Sequence, residues 1–258
     1  MYGQFFILFG LILVGYYCNK KGYLPLETNK NVGHMVMRVT IPAMLITTIA
    51  SIEITDRVLR AFLLSAAGQI AMMVVFGFLM RQYGRKRGLD SRLLPMLDLT
   101  AGSLNTGFIG LPVTMIFFGQ AGIIYMSAGV LALNLYLWSY GVYLISDKKA
   151  TGAAAIGKSF LQGAINPNCI SILLGLLLAV THTARFVPTV VLGFLTKVGD
   201  LSTPLSLIYI GALAGGSGIV QLFKEKMALE ISVVKMIGMP ALAILAMLFI
   251  PADGLAKS

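Results

Sequence analysis

The fold is decided by one stretch of sequence, Asn105-Thr106-Gly107-Phe108-Ile109-Gly110-Leu111-Pro112, which interrupts an apolar segment running from about 94 to 118. Two glycines and a proline within six residues cannot support a regular helix interior. In a lipid bilayer, irregular backbone is tolerated only where it lines a cavity or is buried in protein. The free N–H groups of a half-helix then form a site for an anionic group. The stretch therefore predicts a helix broken at 105–112, the alternative being a kinked helix whose glycines allow close packing.

The composition around this stretch is that of a polytopic helical membrane protein. Of 258 residues, 57% are hydrophobic and 12% are charged, against about 25% charged residues in a soluble chain. Folding in water would expose large apolar patches, which excludes an ordinary soluble enzyme, a disordered chain and a fibrous protein. A bilayer crossing needs about 20 apolar residues. Eight such segments are expected, at about 4–18, 31–51, 59–80, 94–118, 122–145, 160–180, 188–213 and 227–250.

The positive charges predict an N-terminus on the outer side of the cell membrane. The first segment begins without charge and is followed by Lys20 and Lys21, unlike a secretory signal peptide, which begins with positive charge. With the N-terminus outside, 13 of the 20 Lys and Arg residues lie in inner loops and 4 in outer segments. This is the positive-inside bias of membrane proteins. The net charge of +10 therefore reflects topology, and we expect no binding of nucleic acid.

Segments two and seven share a proline motif that predicts an internal repeat. The motifs are Thr40-Ile41-Pro42-Ala43-Met44-Leu45-Ile46 and Ser202-Thr203-Pro204-Leu205-Ser206-Leu207-Ile208, with their prolines 162 residues apart. A shift of five helices would invert the second copy in the membrane, as in many secondary transporters. We expect a five-helix repeat over 1–145 and a partial one of three helices over 146–258. At this offset the second copy of the broken helix would begin near position 256, so the second repeat is expected to be incomplete.

The stretch at 105–112 resembles the broken fourth helix of the auxin efflux carrier family of membrane transporters. Thr40-Ile41-Pro42-Ala43, Asn166-Pro167 and the run from Thr203 to Gly211 resemble further motifs of the family, in the same order. The resemblance implies an all-α fold of the 5+5 type, with inverted repeats whose broken helices cross near the bilayer centre. Against that pattern, the last two of the ten helices are expected to be missing from this sequence. It also implies transport of a small carboxylate, such as malate or malonate in bacterial members and auxin in plant members.

Polar residues near the break are the predicted substrate site. They are Asn105, Thr106, Gly107, Gly110, Pro112 and, from a polar stripe in segment five, Asn134. Ionisable residues inside a membrane are functional candidates, so Asp98, Lys197 and Asp200 are candidates for coupling or relay. The alternatives are a structural carboxylate at Asp98 paired with Arg92, and a solvated pair of Lys197 and Asp200, which are three residues apart on a helix.

No metal-binding or catalytic motif accompanies the break. The cysteines and histidines stand apart from one another, at Cys18, Cys169, His34 and His182. The sequence contains no Gly-x-Ser-x-Gly, no His-Glu-x-x-His and no phosphate-binding loop. We therefore expect no catalytic residue, no metal and no cofactor, with H⁺ or Na⁺ as candidate coupling ions.

The leading hypothesis is a secondary transporter that moves a small organic anion by alternating access, as efflux or exchange. One alternative is a non-transporting membrane protein of the same family. Another is an intramembrane aspartyl protease using Asp98 and Asp200, although the Gly-x-Gly-Asp pattern of such enzymes fails because position 197 is a lysine. The expected partners are the organic anion and the lipid bilayer, with a homodimer as a candidate assembly.

Overall fold

The computed structural model describes residues 2–145, 165–216 and 226–248. All regular structure within these ranges is helical, which confirms the predicted all-α fold. The helices are α1 Tyr2–Lys20, α2 Leu26–Met35, α3 Ile41–Ala50, α4 Asp56–Lys86, α5 Leu94–Gly102, α6 Leu111–Tyr136, α7 Val142–Ile145, α8 Pro167–Val180, α9 Thr189–Asp200, α10 Ser202–Gly216 and α11 Lys226–Leu248. The start of predicted segment six, the repeat boundary at 146 and the chain end near 256 lie outside the described residues.

Several helical runs are long and apolar enough to cross a bilayer. In the described part of the chain they are Leu26–Ala50, Asp56–Lys86, Leu94–Leu144 and Thr189–Gly216. Several crossings of this kind make a multi-pass membrane protein. The 5+5 inverted-repeat arrangement stays a prediction.

The helical run stops and restarts within the stretch from 103 to 110. Ser103 has extended backbone and Asn105 has φ −87° and ψ 69°, so α5 ends at Gly102 and helical structure resumes at Thr106. A second interruption lies at Gly119, whose φ of 62° and ψ of −156° are accessible to glycine without strain. Gly119 thus separates predicted segments four and five inside α6.

Wide π-helical turns precede two prolines of the membrane segments. They span Val36–Thr40 and Thr106–Gly110, and the following helices begin with Pro42 and Pro112 in their first turn. Proline lacks an N–H, and its ring clashes with the carbonyl four residues earlier, so the turn before it opens by one residue. A third π turn, Leu137–Gly141, follows α6 without a proline. Such turns are frequent at functional sites.

The described residues pack into two compact units. The first comprises Met1–Ile70 and Leu104–Gly218, and the second comprises Ala71–Ser103 and Ile219–Ser258. These units are defined by packing alone and do not test the predicted repeats over 1–145 and 146–258, which stay a prediction.

In the first unit, glycines allow α1 and α10 to lie backbone against backbone. A Cβ atom on Gly15 would lie 2.0 Å from the carbonyl oxygen of Ile208, and one on Gly211 would lie 1.9 Å from that of Ile12. Small residues at helix contacts are the usual means of close packing in membranes. The apolar core of this unit is formed by fully buried side chains that include Ile41, Leu45, Ile49, Leu111, Ile123 and Ile172.

In the second unit, α11 packs against the C-terminal half of α4. The ring of Phe76 lies 2.9 Å from the position of a Cβ atom on Gly238. At the end of α4, the carboxylate of Glu230 accepts hydrogen bonds from the hydroxyl of Tyr83 and, at 2.5 Å, from the guanidinium of Arg87. These contacts join the two helices at one end.

Candidate functional site

The restart of the fourth segment is organised by Asn105. Its side-chain oxygen accepts a hydrogen bond from the backbone N–H of Phe108 at 3.2 Å, and its backbone carbonyl accepts one from the N–H of Gly110 at 3.0 Å. An asparagine in this position satisfies one of the backbone N–H groups that a helix N-terminus leaves without a partner. The Asn105 side chain is exposed, so its amide N–H groups can reach a ligand while its oxygen holds the turn.

Thr106 is a buried polar residue that lacks a partner. Its side chain is 4% exposed, and its hydroxyl oxygen has no hydrogen-bond partner in the described part of the chain. Leaving a buried hydroxyl unpaired costs about 1–3 kcal/mol, and such groups in native proteins call for an explanation. A ligand that hydrogen-bonds to the hydroxyl would remove this cost.

The glycines of the turn make room for neighbouring methionines. A Cβ atom on Gly110 would lie 2.9 Å from the sulfur of Met126, and one on Gly107 would lie 3.3 Å from the sulfur of Met37. Pro112 follows as a buried residue of the first turn of α6. Five predicted site residues therefore lie together in the π turn and its two flanks: Asn105, Thr106, Gly107, Gly110 and Pro112.

A stacked aromatic pair forms one wall of this turn. The rings of Phe108 and Tyr209 lie 4.6 Å apart at 25°. The backbone carbonyl of Tyr209 accepts a hydrogen bond at 3.1 Å from the amide of Asn29, which is fully buried. Gly33 leaves space for the tyrosine, since a Cβ atom there would lie 2.7 Å from its ring. Phe108 and Tyr209 lie within the motifs of the sequence, yet neither was predicted as a site residue.

Helix α10 presents two buried serines on the same face as Tyr209. Ser202 and Ser206 are 1% and 0% exposed, and neither hydroxyl has a hydrogen-bond partner among the described residues. Their spacing from Tyr209 of seven and three residues places all three on one side of the helix. The helical spacing of these residues in segment seven is the signal from which this polar face could have been predicted.

Asn134 is engaged in hydrogen bonds within the protein. Its amide nitrogen donates to the carbonyl of Val130 at 2.8 Å, and its oxygen accepts a hydrogen bond from the side chain of Asn166. Asn166 in turn caps α8 by accepting the N–H of Asn168 at 2.8 Å. Asn134 thereby ties the end of α6 to the start of α8, and its binding role stays a prediction.

Asp98 lies in the second unit, in α5, and is fully buried. A guanidinium nitrogen of Arg81 lies 3.8 Å from one of its carboxylate oxygens. The sequence pattern pointed to Arg92 or water as the partner, and the structure shows Arg81 as an ion-pair partner. A buried carboxylate is strongly disfavoured unless it is paired, so Arg81 compensates the charge of Asp98.

Lys197 and Asp200 end α9 in the first unit, and both are exposed. No ion pair joins them in the structure of these described residues. Asp200 instead lines a cavity of about 350 Å³. The other polar residues that line it are Thr47, Thr48, Ser51, Gln120, Thr196 and Thr203. Across residues 2–145, 165–216 and 226–248, no three His, Cys, Asp or Glu side chains gather as metal ligands would.

Comparison with known proteins assigns the chain to a family. The model of a family described as membrane transport protein matches residues 1–257. An uncharacterised transporter of Methanothermobacter thermautotrophicus is 26% identical over 204 residues, which are 78% of this chain and 64% of that protein. The match thus spans less than two thirds of the length of that relative. The chain belongs to the family of membrane transport proteins that the motif at 105–112 resembles, the auxin efflux carrier family, and is a multi-pass membrane protein.

Proposed function

We propose that the protein is a secondary transporter that moves a small organic anion, such as a dicarboxylate or an auxin-like carboxylate, by alternating access. Membership of a transport family supports the general activity. The observation that carries the choice of an anion is the half-helix that starts at Thr106 with an exposed asparagine cap and an unpaired, buried hydroxyl.

This helix start has the chemistry of a carboxylate site. The first N–H groups of a helix have no partner within it, and the end carries a partial positive charge of about half a unit. The side chain of Asn105 accepts a hydrogen bond from the N–H of Phe108. The N–H groups of Thr106 and Gly107 lie ahead of the first helical hydrogen bond and are therefore the ones that can bind a ligand. The amide of Asn105 and the hydroxyl of Thr106 add side-chain donors. A carboxylate bound here would accept hydrogen bonds from these neutral donors. Hydrogen bonds in which one partner is charged are stronger than those between two neutral groups.

The cavity beside Asp200 has the chemistry of a site for a small cation. The hydroxyl groups of Thr47, Ser51 and Thr196 donate to backbone carbonyls of their own helices at 3.0, 2.8 and 2.8 Å. Because their hydrogens are used in this way, the oxygens face the cavity as acceptors. Hard cations prefer such oxygen ligands together with a carboxylate. We therefore assign H⁺ or Na⁺ coupling to Asp200 ahead of Asp98, whose charge Arg81 compensates.

The charge distribution supports a proposed orientation in the cell membrane. The excess of Lys and Arg in the expected inner loops favours an N-terminus outside. Family membership favours a transporter over the protease considered for Asp98 and Asp200. Attachment of a membrane-impermeant label to a cysteine introduced at position 3, in a background without Cys18 and Cys169, tests the orientation: labelling of intact cells supports an outside N-terminus, and protection contradicts it.

Uptake by proteoliposomes tests the function directly. The purified chain is reconstituted, and entry of radiolabelled malonate, malate and an aromatic carboxylate is measured against empty liposomes. Asn105→Ala removes a helix cap, worth about 1 kcal/mol, and a donor to a charged ligand, worth about 1.5–3 kcal/mol. The transport efficiency of Asn105→Ala, which is the maximal uptake rate divided by KM, should fall at least about tenfold. Asn31→Ala, at an exposed asparagine of α2, is the matched control and should transport normally.

Two outcomes would contradict the proposal at different levels. If the chain moves none of these anions, the non-transporting alternative is favoured. If it transports, but Asn105→Ala behaves as Asn31→Ala does, the activity stands and the site assignment is wrong.

A further inference from the structure

The second unit contains a lysine in the middle of helix α11. Lys235 lies nine residues after Lys226, in a run that includes Val233, Val234 and Met236. Its ammonium nitrogen lies 2.8 Å from the carbonyl oxygen of Thr100 and 2.7 Å from that of Ser103. An ionised side chain within a helix of a membrane protein is a candidate for a functional position.

The two carbonyls belong to the C-terminal end of α5. The last carbonyls of a helix have no partner within it, and they give this end a partial negative charge of about half a unit. Here α5 stops at Gly102, and the N–H of Ser103 reaches back only to Leu99. The Ser103 hydroxyl donates to the carbonyl of Thr100 at 3.2 Å, and Lys235 supplies the further hydrogen bonds to the carbonyls of Thr100 and Ser103.

The ammonium also reverses the sign of the charge at this end. One full positive charge added to about half a negative charge leaves a net positive charge of about half a unit. Without Lys235, exposed carbonyls at a half-helix end would repel an organic anion. They would attract Na⁺ instead, which half-helix C-termini coordinate in other transporters.

We propose that Lys235 is a tethered cation that makes the interrupted fourth segment selective for anions. Its ammonium occupies the place of a free cation at the end of α5, in the stretch of chain that reaches Asn105 two residues after Ser103. Lys235 is thus a positioning residue that sets the sign of the charge and need not touch the substrate. The inference rests on the proposed transport of an organic anion.

Matched substitutions separate the charge from the hydrogen bonds. Lys235→Gln keeps a hydrogen-bond donor and removes the charge, whereas Lys235→Arg keeps both. In the uptake assay, Lys235→Gln should raise the KM for the anion about tenfold, and Lys235→Arg should stay within about threefold of the unsubstituted protein. Lys30→Met, which removes an exposed charge from α2, should leave KM unchanged. An unchanged KM in Lys235→Gln would overturn the proposal.

A second measurement does not require transport. Thermal unfolding in detergent is compared in sodium chloride and in choline chloride of equal ionic strength. The difference between the two salts in the unsubstituted protein is the baseline, because Na⁺ bound at Asp200 would also stabilise it. Lys235→Met removes the donor as well as the charge, so it should unfold at a higher temperature in sodium chloride by more than this baseline, because Na⁺ can then reach the carbonyls. No added sodium effect in Lys235→Met would overturn the placement of the tethered cation.

The two measurements distinguish failure of this inference from failure of the proposed function. If no anion is transported, an added sodium effect in Lys235→Met still supports a tethered cation at α5, while the anion assignment falls. If Lys235→Gln and Lys235→Met both fail to yield folded protein and Lys235→Arg folds, the ammonium serves folding alone and the selectivity role is overturned.

Discussion

Gly15 and Gly10, both in α1, provide a matched test of the contact between α1 and α10. A Cβ atom added at Gly15 would lie 2.0 Å from the backbone oxygen of Ile208, whereas one added at Gly10 would meet nothing within 4 Å. Carbon and oxygen atoms approach to about 3.3 Å even in favourable contacts. Gly15→Ala must therefore separate the two helices by about 1.3 Å. The oxygen of Ile208 is a backbone atom and the new Cβ is attached directly to the backbone, so no side-chain rotation can relieve the clash.

The expected effects have opposite signs. Overpacking of a tight contact costs about 1–3 kcal/mol, so Gly15→Ala should lower the unfolding midpoint by about 2–12 °C. Gly10→Ala should leave it unchanged or raise it slightly, since alanine is favoured over glycine in a helix by about 0.5–1 kcal/mol. Transport should fall in Gly15→Ala as well, because Ile208 adjoins Tyr209 of the aromatic wall.

The chain carries its own reporter for this measurement. Cys169 is 1% exposed, so a thiol-reactive fluorescent dye reports its release on heating. The half-buried Cys18 is replaced by serine in all variants to remove background labelling. If Gly15→Ala and Gly10→Ala unfold within one degree of each other, the close approach of α1 and α10 is wrong, and with it the packing that positions Tyr209.

Three further predictions concern the candidate site. Tyr209→Leu should lower transport about 2–10-fold by removing an aromatic pair worth about 0.5–1.5 kcal/mol. Tyr209→Phe keeps the stack with Phe108 and should transport normally. Equal loss of transport in both variants would contradict the stacking role. Thr106→Val should lower transport about tenfold while the unfolding midpoint stays equal or rises, because it removes an unpaired buried hydroxyl; a drop in midpoint would show that the hydroxyl has a protein partner. Asp200→Asn should abolish the dependence of uptake on a H⁺ or Na⁺ gradient, whereas the control variant Asp56→Asn should keep it. A gradient effect that persists in Asp200→Asn would exclude this carboxylate as the coupling group.

The sequence predicted what depends on local chemistry. Apolar runs long enough for lipid define helices, and the proline and glycines at 107–112 disrupt a helix whatever surrounds them. The interruption was therefore placed close to where α5 ends and helical structure resumes. The same reasoning identified Asn105 as a polar residue at the break, whereas its role as the cap of the next helical turn is given by the structure.

The contacts that cross between helices could not be predicted in this way. The stack of Phe108 on Tyr209 joins residues 101 positions apart, and the bond from Lys235 to Thr100 joins residues 135 apart. One sequence records neither pairing, because each depends on how whole helices pack. No motif indicates the partners of Lys235 either, because they are backbone carbonyls, which every residue carries.

The π turn at Val36–Thr40 acts as a phase shift in the helix that contains it. Each residue turns an α-helix by about 100°, and the wide turn absorbs one residue more than a regular α-helix would hold over the same rotation. Removing one residue from 36–40 would therefore restore the regular ladder and leave the buried side chains of Ile41, Leu45 and Ile49 facing their core. Removing one residue from 43–48 would instead rotate every side chain beyond the deletion by about 100°, so the wide turn is the place where this helix tolerates a change of length.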